Sequence, residues 1–389
     1  MRPVTRCVQR CLSSGQQQQK FLEEYKIRTM LEQPIFHYSR IPLPPLSLTH
    51  LYKQSEKLSP TFILQNARET IENLLIYNAR RLREFRNLPY LVVLNPSISE
   101  SYDSYLQSMS SLLKASLYTP HTLEENATLE TVLNEFMDIH ADTLPSLSKG
   151  FAEVSNLLSM SKIAHFLDRH LKERISMRLI AHQHIELSRS IAGNYVKGGK
   201  YNGIVKMLHL PDVIKKNAEL VNDITMMKYD QSVPVEIDTS NAASLDFPYI
   251  EYHLDYIFME VFKNSFRAHI ENKVFDPVTV TISTQQAPRF MEIRIRDRGK
   301  GISKRALKHI FDYSFTTYES NEGESFKTLN VPPEHLGGGH SVAGMGFGLP
   351  MAKQYIEVFN DTAEETKGSL TVQTYPQWGT DVYIKTVGQ

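Results

Sequence analysis

From Phe21 to roughly Ser190, apolar residues return every three or four positions, and this periodicity constrains the fold more than any other feature. It is sustained through Thr61–Leu91, Ser99–Ser116, Glu124–Ile139 and Leu147–Leu187. Pro42, Pro44, Pro45, Pro96, Pro120 and Pro145 mark the joints, because proline lacks a backbone donor and biases the preceding residue away from helix. Each stretch has an apolar stripe to bury, and long helices on short connections bury it as an antiparallel bundle. Ile41-Pro-Leu-Pro-Pro-Leu46 reads as a stiff connector into that bundle.

The pattern breaks between Gly193 and Gly203, a stretch rich in Gly, Lys and Asn. Beyond it, a helix around Pro211–Met227 leads to a short strand near Val235–Ile237 and then to a second helix. Val278–Ile282 and Met291–Ile295 alternate apolar with polar residues, as half-buried strands do. A last pair, Leu370–Val372 and Val382–Ile384, flanks a turn containing Gly379. One sheet covered on one face by helices is the economical arrangement. At 389 residues the chain exceeds one comfortable core. The expectation is a helical bundle over 21–196 and an α/β sandwich over 197–389.

Lys plus Arg equals Asp plus Glu at 43 each, so nothing draws the chain as a whole to nucleic acid or an anionic membrane. No apolar run approaches the length of a membrane span. The first twenty residues contain three Arg, one Lys and no acid. Val4, Val8 and Leu12 fall at helical spacing with Arg2, Arg6 and Arg10 between them. That is the composition of a mitochondrial transit peptide, expected here for residues 1–20, with a disordered basic tail as the other reading. Both cysteines, Cys7 and Cys11, lie in this leader. Without it the chain has no disulfide, no thiolate nucleophile and no cysteine-ligated metal.

Three motifs carry chemistry. On the second helix of the α/β part, Glu260, Asn264 and Arg267 share a face, with Lys263 at its border. Ile257, Phe258, Val261, Phe262 and Ala268 are assigned to the opposite, apolar face. A carboxylate, an amide and a guanidinium on one rigid element suit a metal ion, a hydroxyl and a phosphate, although solvated helix faces have the same composition. Next, Asp297-Arg-Gly-Lys-Gly301 follows a strand. Its glycines would let the backbone approach a flat ligand while the carboxylate accepts from an exocyclic amine. A plain tight turn looks the same. Finally, Gly337-Gly-Gly339 and Gly344-Met-Gly-Phe-Gly348-Leu-Pro350 run straight into a helical pattern over Met351–Phe359. Pro350 fits the first turn of that helix, and glycines before a helix N-terminus make an anion site. The polar stretch Ser314–Ser325 between the motifs suits a lid over nucleotide.

Taken in order, E-x-x-x-N, D-x-G-x-G, a long loop and G-x-G-x-G before a helix resemble the N, G1 and G2 boxes of the GHKL ATP-binding fold. Bacterial histidine kinases, heat-shock chaperone ATPases, mismatch-repair ATPases and type II topoisomerases share that fold. Glu260-Val-Phe-Lys-Asn-Ser-Phe-Arg-Ala268 is most similar to the mitochondrial protein kinases of pyruvate dehydrogenase and branched-chain α-ketoacid dehydrogenase. Phe166-Leu-Asp-Arg169, Arg174-Ile-Ser-Met-Arg-Leu179, Gln183-His184, Asn87–Asn95 and Gly379-Thr-Asp-Val-Tyr383 resemble stretches of the same family. The resemblance implies ATP and Mg²⁺ as cofactors. It implies Glu260 as the base for a substrate serine, Asn264 as the Mg²⁺ ligand and Arg267 as a support for the nucleotide. Asp297 would receive the adenine amine, with Gly299 and Gly301 shaping the turn. Thr316 and Thr317 would be the hydroxyl pair of the lid, and Gly344, Gly346, Gly348 and Leu349 would wrap the phosphates.

The family function follows as an expectation: a matrix protein-serine kinase that inactivates the E1 component of pyruvate dehydrogenase. The branched-chain E1 component is the alternative target, and a non-catalytic scaffold on such a complex is the alternative role. A lipoyl domain of the E2 core is the expected partner of the helical part, and a homodimer the expected assembly. Tyr256 stands where many pyruvate dehydrogenase kinases carry His, and Leu254-Asp-Tyr-Ile257 is similar to the branched-chain enzyme. The insert Glu319–Ser325 fits neither. The sequence also stops at Gln389 without the long C-terminal tail by which some members pair and grip a lipoyl domain. His182-Gln-His184-Ile-Glu186 is superficially a phosphoacceptor box, but the proline that should follow is missing, so phosphohistidine relay is rejected. A chaperone-type ATPase clamp is disfavoured because the helical region comes first.

Overall fold

Polar caps set the helices of the N-terminal region. The computed structural model describes residues 28–43, 46–140, 143–193, 196–287, 289–313, 347–360 and 367–388; the expected leader, residues 1–20, lies outside them. Helix α1 is described over 28–38. It is followed by α2 (Leu48–Glu56), α3 (Pro60–Arg86), α4 (Tyr90–Val93), α5 (Pro96–Leu117), α6 (Leu123–Ile139), α7 (Thr143–Glu153) and α8 (Met160–Ala192). Ser47, Ser59, Asn95, Thr122 and Ser159 each accept a backbone N–H two or three residues on, which satisfies donors the helix itself leaves free. Pro60 and Pro96 occupy the first turns of α3 and α5, where a missing N–H costs nothing.

Two of the expected helices are each broken in two. Thr61–Leu91 ends at Arg86, and Pro89 caps the separate short α4. Leu147–Leu187 is interrupted between Glu153 and Met160, where Ser159 starts a new helix. Periodicity ran through that break because Val154 and Leu158 remain buried inside it. Helix α3 packs on α5 and α8, and α6 also packs on α8. Phe85 of α3 meets Tyr105 of α5 and Phe166 of α8 at ring separations of 5.7 and 5.3 Å. His184 is fully buried, with Nδ1 2.8 Å from Asn66 Oδ1 and Nε2 3.1 Å from Asn126 Oδ1. Burial pushes its pKa down to about 4. It is a core histidine tying α8 to α3 and α6, without the access a phosphoacceptor needs.

The sheet part begins with a short ribbon that sequence reasoning missed. Strands β1 (Val205–His209) and β3 (Asp246–Ile250) pair antiparallel as a separate two-stranded sheet. The main sheet has the order β2-β4-β5-β7-β6, built from Val235–Ala242, Val278–Gln286, Arg289–Asp297, Gly379–Val387 and Ser369–Tyr375. Only β2 and β4 run parallel. Registered side chains make two apolar rows across it: Ile237, Val280, Ile295, Val382 and Val372, then Ile282, Ile293, Ile384 and Leu370. Helices α9 (Leu210–Tyr229), α10 (Glu251–Asn272), α11 (Lys304–Leu307) and α12 (Gly348–Glu357) complete this part. Helix α10 packs on β5, and α12 packs on β6 and β7. A helical region followed by an α/β sandwich is therefore the architecture. No helix among the described residues is long and apolar enough to cross a membrane.

Where the two parts join, polar side chains add to an apolar core that runs through both. Gln183 of α8 donates to Leu51 O of α2 (3.2 Å) and accepts from Ile204 N at the entry to β1 (2.9 Å). Asn202 reaches Ser55 O, Val196 O and Gly199 O through its amide nitrogen. Gly203 has no room for a side chain, because a Cβ there would run into the Gln183 amide. Substituting Gln183→Leu keeps the volume but strands the buried Ile204 N–H. The variant is expected to lose roughly 1–3 kcal/mol of stability. Urea unfolding should show this as a lowered midpoint at unchanged slope.

Candidate active site

Helix α10 is buried around most of its circumference, leaving one narrow polar stripe. Ile257, Phe258, Val261 and Phe262 are in the core as expected, and so are Tyr252, His253, Leu254, Tyr256 and Phe266. The stripe consists of Glu260 and Lys263, both largely covered, exposed Asn264 and half-buried Arg267. Ala268, half-buried, lies about 80° round the helix from Glu260, between buried Ile257 and Val261, and Gly299 packs against it.

The Lys263 ammonium pairs with the Glu260 carboxylate. A Cβ at Gly348 would collide with the other carboxylate oxygen, so the backbone at the start of α12 lies against Glu260. The positive end of the α12 dipole and the ammonium of Lys263 therefore both face this carboxylate. One turn earlier, Tyr256 is buried with its ring 5.1 Å from that of Tyr355 on α12. Burial, and then the charge of Glu260, raises the Tyr256 pKa well above the ordinary value. Position 256 thus presents a neutral phenol beside the carboxylate.

The far end of the same helix fixes Asp297. The Arg298 N–H donates to His269 Nε2 of α10 at 2.8 Å. A Cβ at Gly299 would come within 2.8 Å of the Ala268 Cβ. The Gly299 N–H donates to Asp297 Oδ1 at 2.9 Å, and the Thr380 N–H donates to the same oxygen at 3.2 Å. Gly301, at φ +75°, lies against Tyr375 O, and Gly379, at φ +111°, has its Cα flush on Asp297 O. Both need the left-handed freedom of glycine. Thr380 was missed as a site residue. Its signal was the Gly379-Thr-Asp run, which reads as a turn and as a family-like stretch without marking Thr380 itself.

Arg267 donates from Nε to Glu271 Oε1 at 2.5 Å. Leu349 and Gly348 both lie in the first turn of α12. Thr316, Thr317, Gly344 and Gly346 fall outside the described residues. Among the described residues no group of three His, Cys, Asp or Glu side chains could hold a metal. The donor set instead suits a Mg²⁺ bound by one amide oxygen, that of exposed Asn264, with phosphate and water as its other ligands.

Asp297 is 6% exposed, and burial is the main reason its pKa rises from 3.8 to about 6, against the lowering effect of its two N–H donors. Because the folded value is the higher one, this group favours folding fully below its unfolded pKa. The contribution is lost as pH rises through the folded value. A shift of about two pKa units corresponds to at most roughly 3 kcal/mol. Asp297→Asn is therefore expected to be more stable than the parent at pH 7.5 in the absence of ligand. Paired urea titrations should show that advantage shrinking towards pH 4.5.

The chain matches the family model described as mitochondrial branched-chain alpha-ketoacid dehydrogenase kinase over residues 45–206. Residues 250–387 match the histidine kinase-, DNA gyrase B-, and HSP90-like ATPase model. It is 33% identical to the mitochondrial [pyruvate dehydrogenase (acetyl-transferring)] kinase 1 of Saccharomyces cerevisiae, over 95% of this chain and 91% of that protein. Human kinase isozyme 3 is 27% identical over 92% of this chain and 87% of its own length. Rat kinase isozyme 1 is 25% identical over 90% and 78%. With an ATPase module of that type joined to a helical region of that kinase type, the chain belongs to the mitochondrial protein kinase family that includes the pyruvate dehydrogenase and branched-chain dehydrogenase kinases.

Proposed function

We propose that the protein is an ATP-dependent protein-serine kinase that phosphorylates and thereby inactivates the E1 component of the pyruvate dehydrogenase complex. One observation carries the reading: a single buried helix holds Glu260 against the start of the glycine-led helix and, at its other end, anchors Asp297. Read as the two ends of one nucleotide site, these carboxylates share one rigid rod. ATP binds with its adenine amine on Asp297 and its phosphates at the N-terminus of α12, where Gly348 and Leu349 belong to a segment continued by Gly344 and Gly346. Asn264 would hold Mg²⁺, which neutralises phosphate charge when bound. Thr316 and Thr317, outside the described residues, would supply hydroxyls to the nucleotide, and Arg267 would support it.

In the transfer step, Glu260 takes the proton of the substrate serine. Lys263 orients that carboxylate by pairing with it. Adding phosphate to E1 places a dianionic group in its active-site loop, which repels substrate or disorders the loop. The protein works in the mitochondrial matrix as a homodimer. Residues 21–196 serve as the docking region for a lipoyl domain of E2, and 197–389 as the kinase module. The branched-chain E1 component is the alternative target, favoured by Leu254-Asp-Tyr-Ile257 and by the family model matched in the helical region.

The test combines purified protein, labelled ATP and each E1 component separately. Serine labelling of pyruvate dehydrogenase E1 is expected. Glu260→Gln should lower kcat by about 10²–10⁴-fold, while ATP affinity stays within a few-fold of the parent. Unchanged turnover in that variant would overturn the base assignment. Labelling of only the branched-chain E1 would reassign the substrate, and labelling of neither would leave a nucleotide-binding scaffold.

A further inference from the structure

Asp168 lies on α8 of the helical region, is exposed, and has no part in the site described above. Its Oδ1 accepts two hydrogen bonds from the α/β part. One comes from Tyr313 Oη at 2.9 Å and the other from Gln354 Nε2 of α12 at 2.6 Å. The same junction holds further contacts. The ring of Tyr313 meets that of fully buried Phe347, the residue before α12, with centroids 5.6 Å apart. Lys353, next to Gln354, sits 4.9 Å from the centre of the Phe311 ring. Burial and then the charge of Asp168 raise the pKa of Tyr313, so its phenol remains a donor. Burial also raises the pKa of Glu357, further along α12; Asp168 adds to that rise, while Lys353 and Lys172 oppose it.

These contacts have a geometric consequence. Helix α12 touches both α10 and α8, and its first residue lies against the Glu260 carboxylate with no room for a methyl group. Gln354 is six residues further along the same short helix. A helix of ten residues is stiff over that distance, so a force on Gln354 is felt at Gly348. At the adenine end, the described residues that hold Asp297 all belong to β5, β7 and α10, through Gly299, Thr380 and His269.

We propose that Asp168 is a positioning residue for the phosphate end of the nucleotide site, a carboxylate of the helical region that sets where α12 stands against Glu260. It touches neither the nucleotide nor the reacting atoms, and acts through Tyr313 and Gln354. The helical region thereby contributes to nucleotide recognition. The proposal rests on the kinase reading of the site.

The experiment measures MgATP and adenosine binding to the full chain by calorimetry. It compares the parent, Asp168→Ala, Asp168→Asn, Gln354→Ala and the double variant Asp168→Ala/Gln354→Ala. Two partly exposed hydrogen bonds to a charged acceptor correspond to about a fivefold effect. Asp168→Ala is therefore expected to weaken MgATP about fivefold and leave adenosine unchanged, because adenosine reports only the end held by Asp297. Asp168→Asn, which keeps an acceptor, should recover most of the loss. The double variant should be no worse than Asp168→Ala alone. Equal loss of both ligands would mean general destabilisation and would overturn the proposal, as would unchanged MgATP binding or additive effects in the double variant. A parent protein that binds neither ligand would instead remove the nucleotide reading, and this proposal with it.

Discussion

Everything at the site depends on the burial of α10. A helix with Phe258, Phe262 and Phe266 in the core, packed against β5, α9 and α12, cannot tilt or slide without opening voids that proteins tolerate poorly. Rigidity at that level lets two distant groups be held at fixed separation without touching each other. Glu260 is a residue of the helix, and Asp297 is fixed to its C-terminal half through the Ala268–Gly299 contact and the bond from Arg298 to His269. The polar stripe is narrow because the rest of the circumference is occupied in providing that rigidity.

The carboxylates at the two ends are treated in opposite ways. Glu260 has an ammonium beside it and a helix N-terminus against it, both of which stabilise negative charge. Asp297 is buried, and its two backbone donors only partly offset the cost. An acceptor for an exocyclic amine gains selectivity from being desolvated, since a ligand that fails to donate leaves the buried oxygen poorly satisfied. A proton acceptor has the other requirement, to be ionised whenever substrate arrives. The buried setting of Asp297 suits the amine-acceptor role proposed for it, and the cationic setting of Glu260 suits its proposed role as base.

Much of this was legible in the chain, and the omissions have physical causes. Alternation in Val278–Ile282 and Met291–Ile295 located the central strands because one of their faces is buried and the other is not. The β1–β3 ribbon was missed because β3 is buried at four of its five positions and so shows no alternation. The break between α7 and α8 was missed because Val154 and Leu158 keep an apolar spacing while the backbone leaves the helix. At the site, Glu260, Asn264 and Asp297 were readable as residue types at characteristic spacing. Thr380 was not, since it contributes a backbone N–H, which any residue but proline would supply. The part Ala268 plays was not legible from its type, since only the glycine that packs on it shows why a small residue stands there.

That last pair shows how the glycines should be read. Gly299, Gly348 and Gly379 lie where a Cβ would strike Ala268, the Glu260 carboxylate and Asp297 O respectively. Only Gly379 among these three also needs a positive φ. Gly299 and Gly348 are thus explained by close approach rather than by backbone conformation, and each closes one junction of the site onto α10. A glycine-rich motif is commonly taken as a statement about the loop that contains it. Here two of its members are statements about a helix elsewhere in the chain, whose side chains need the space. The motifs and the helix constrain one another, which is why none of the three was decisive when read alone and their order was.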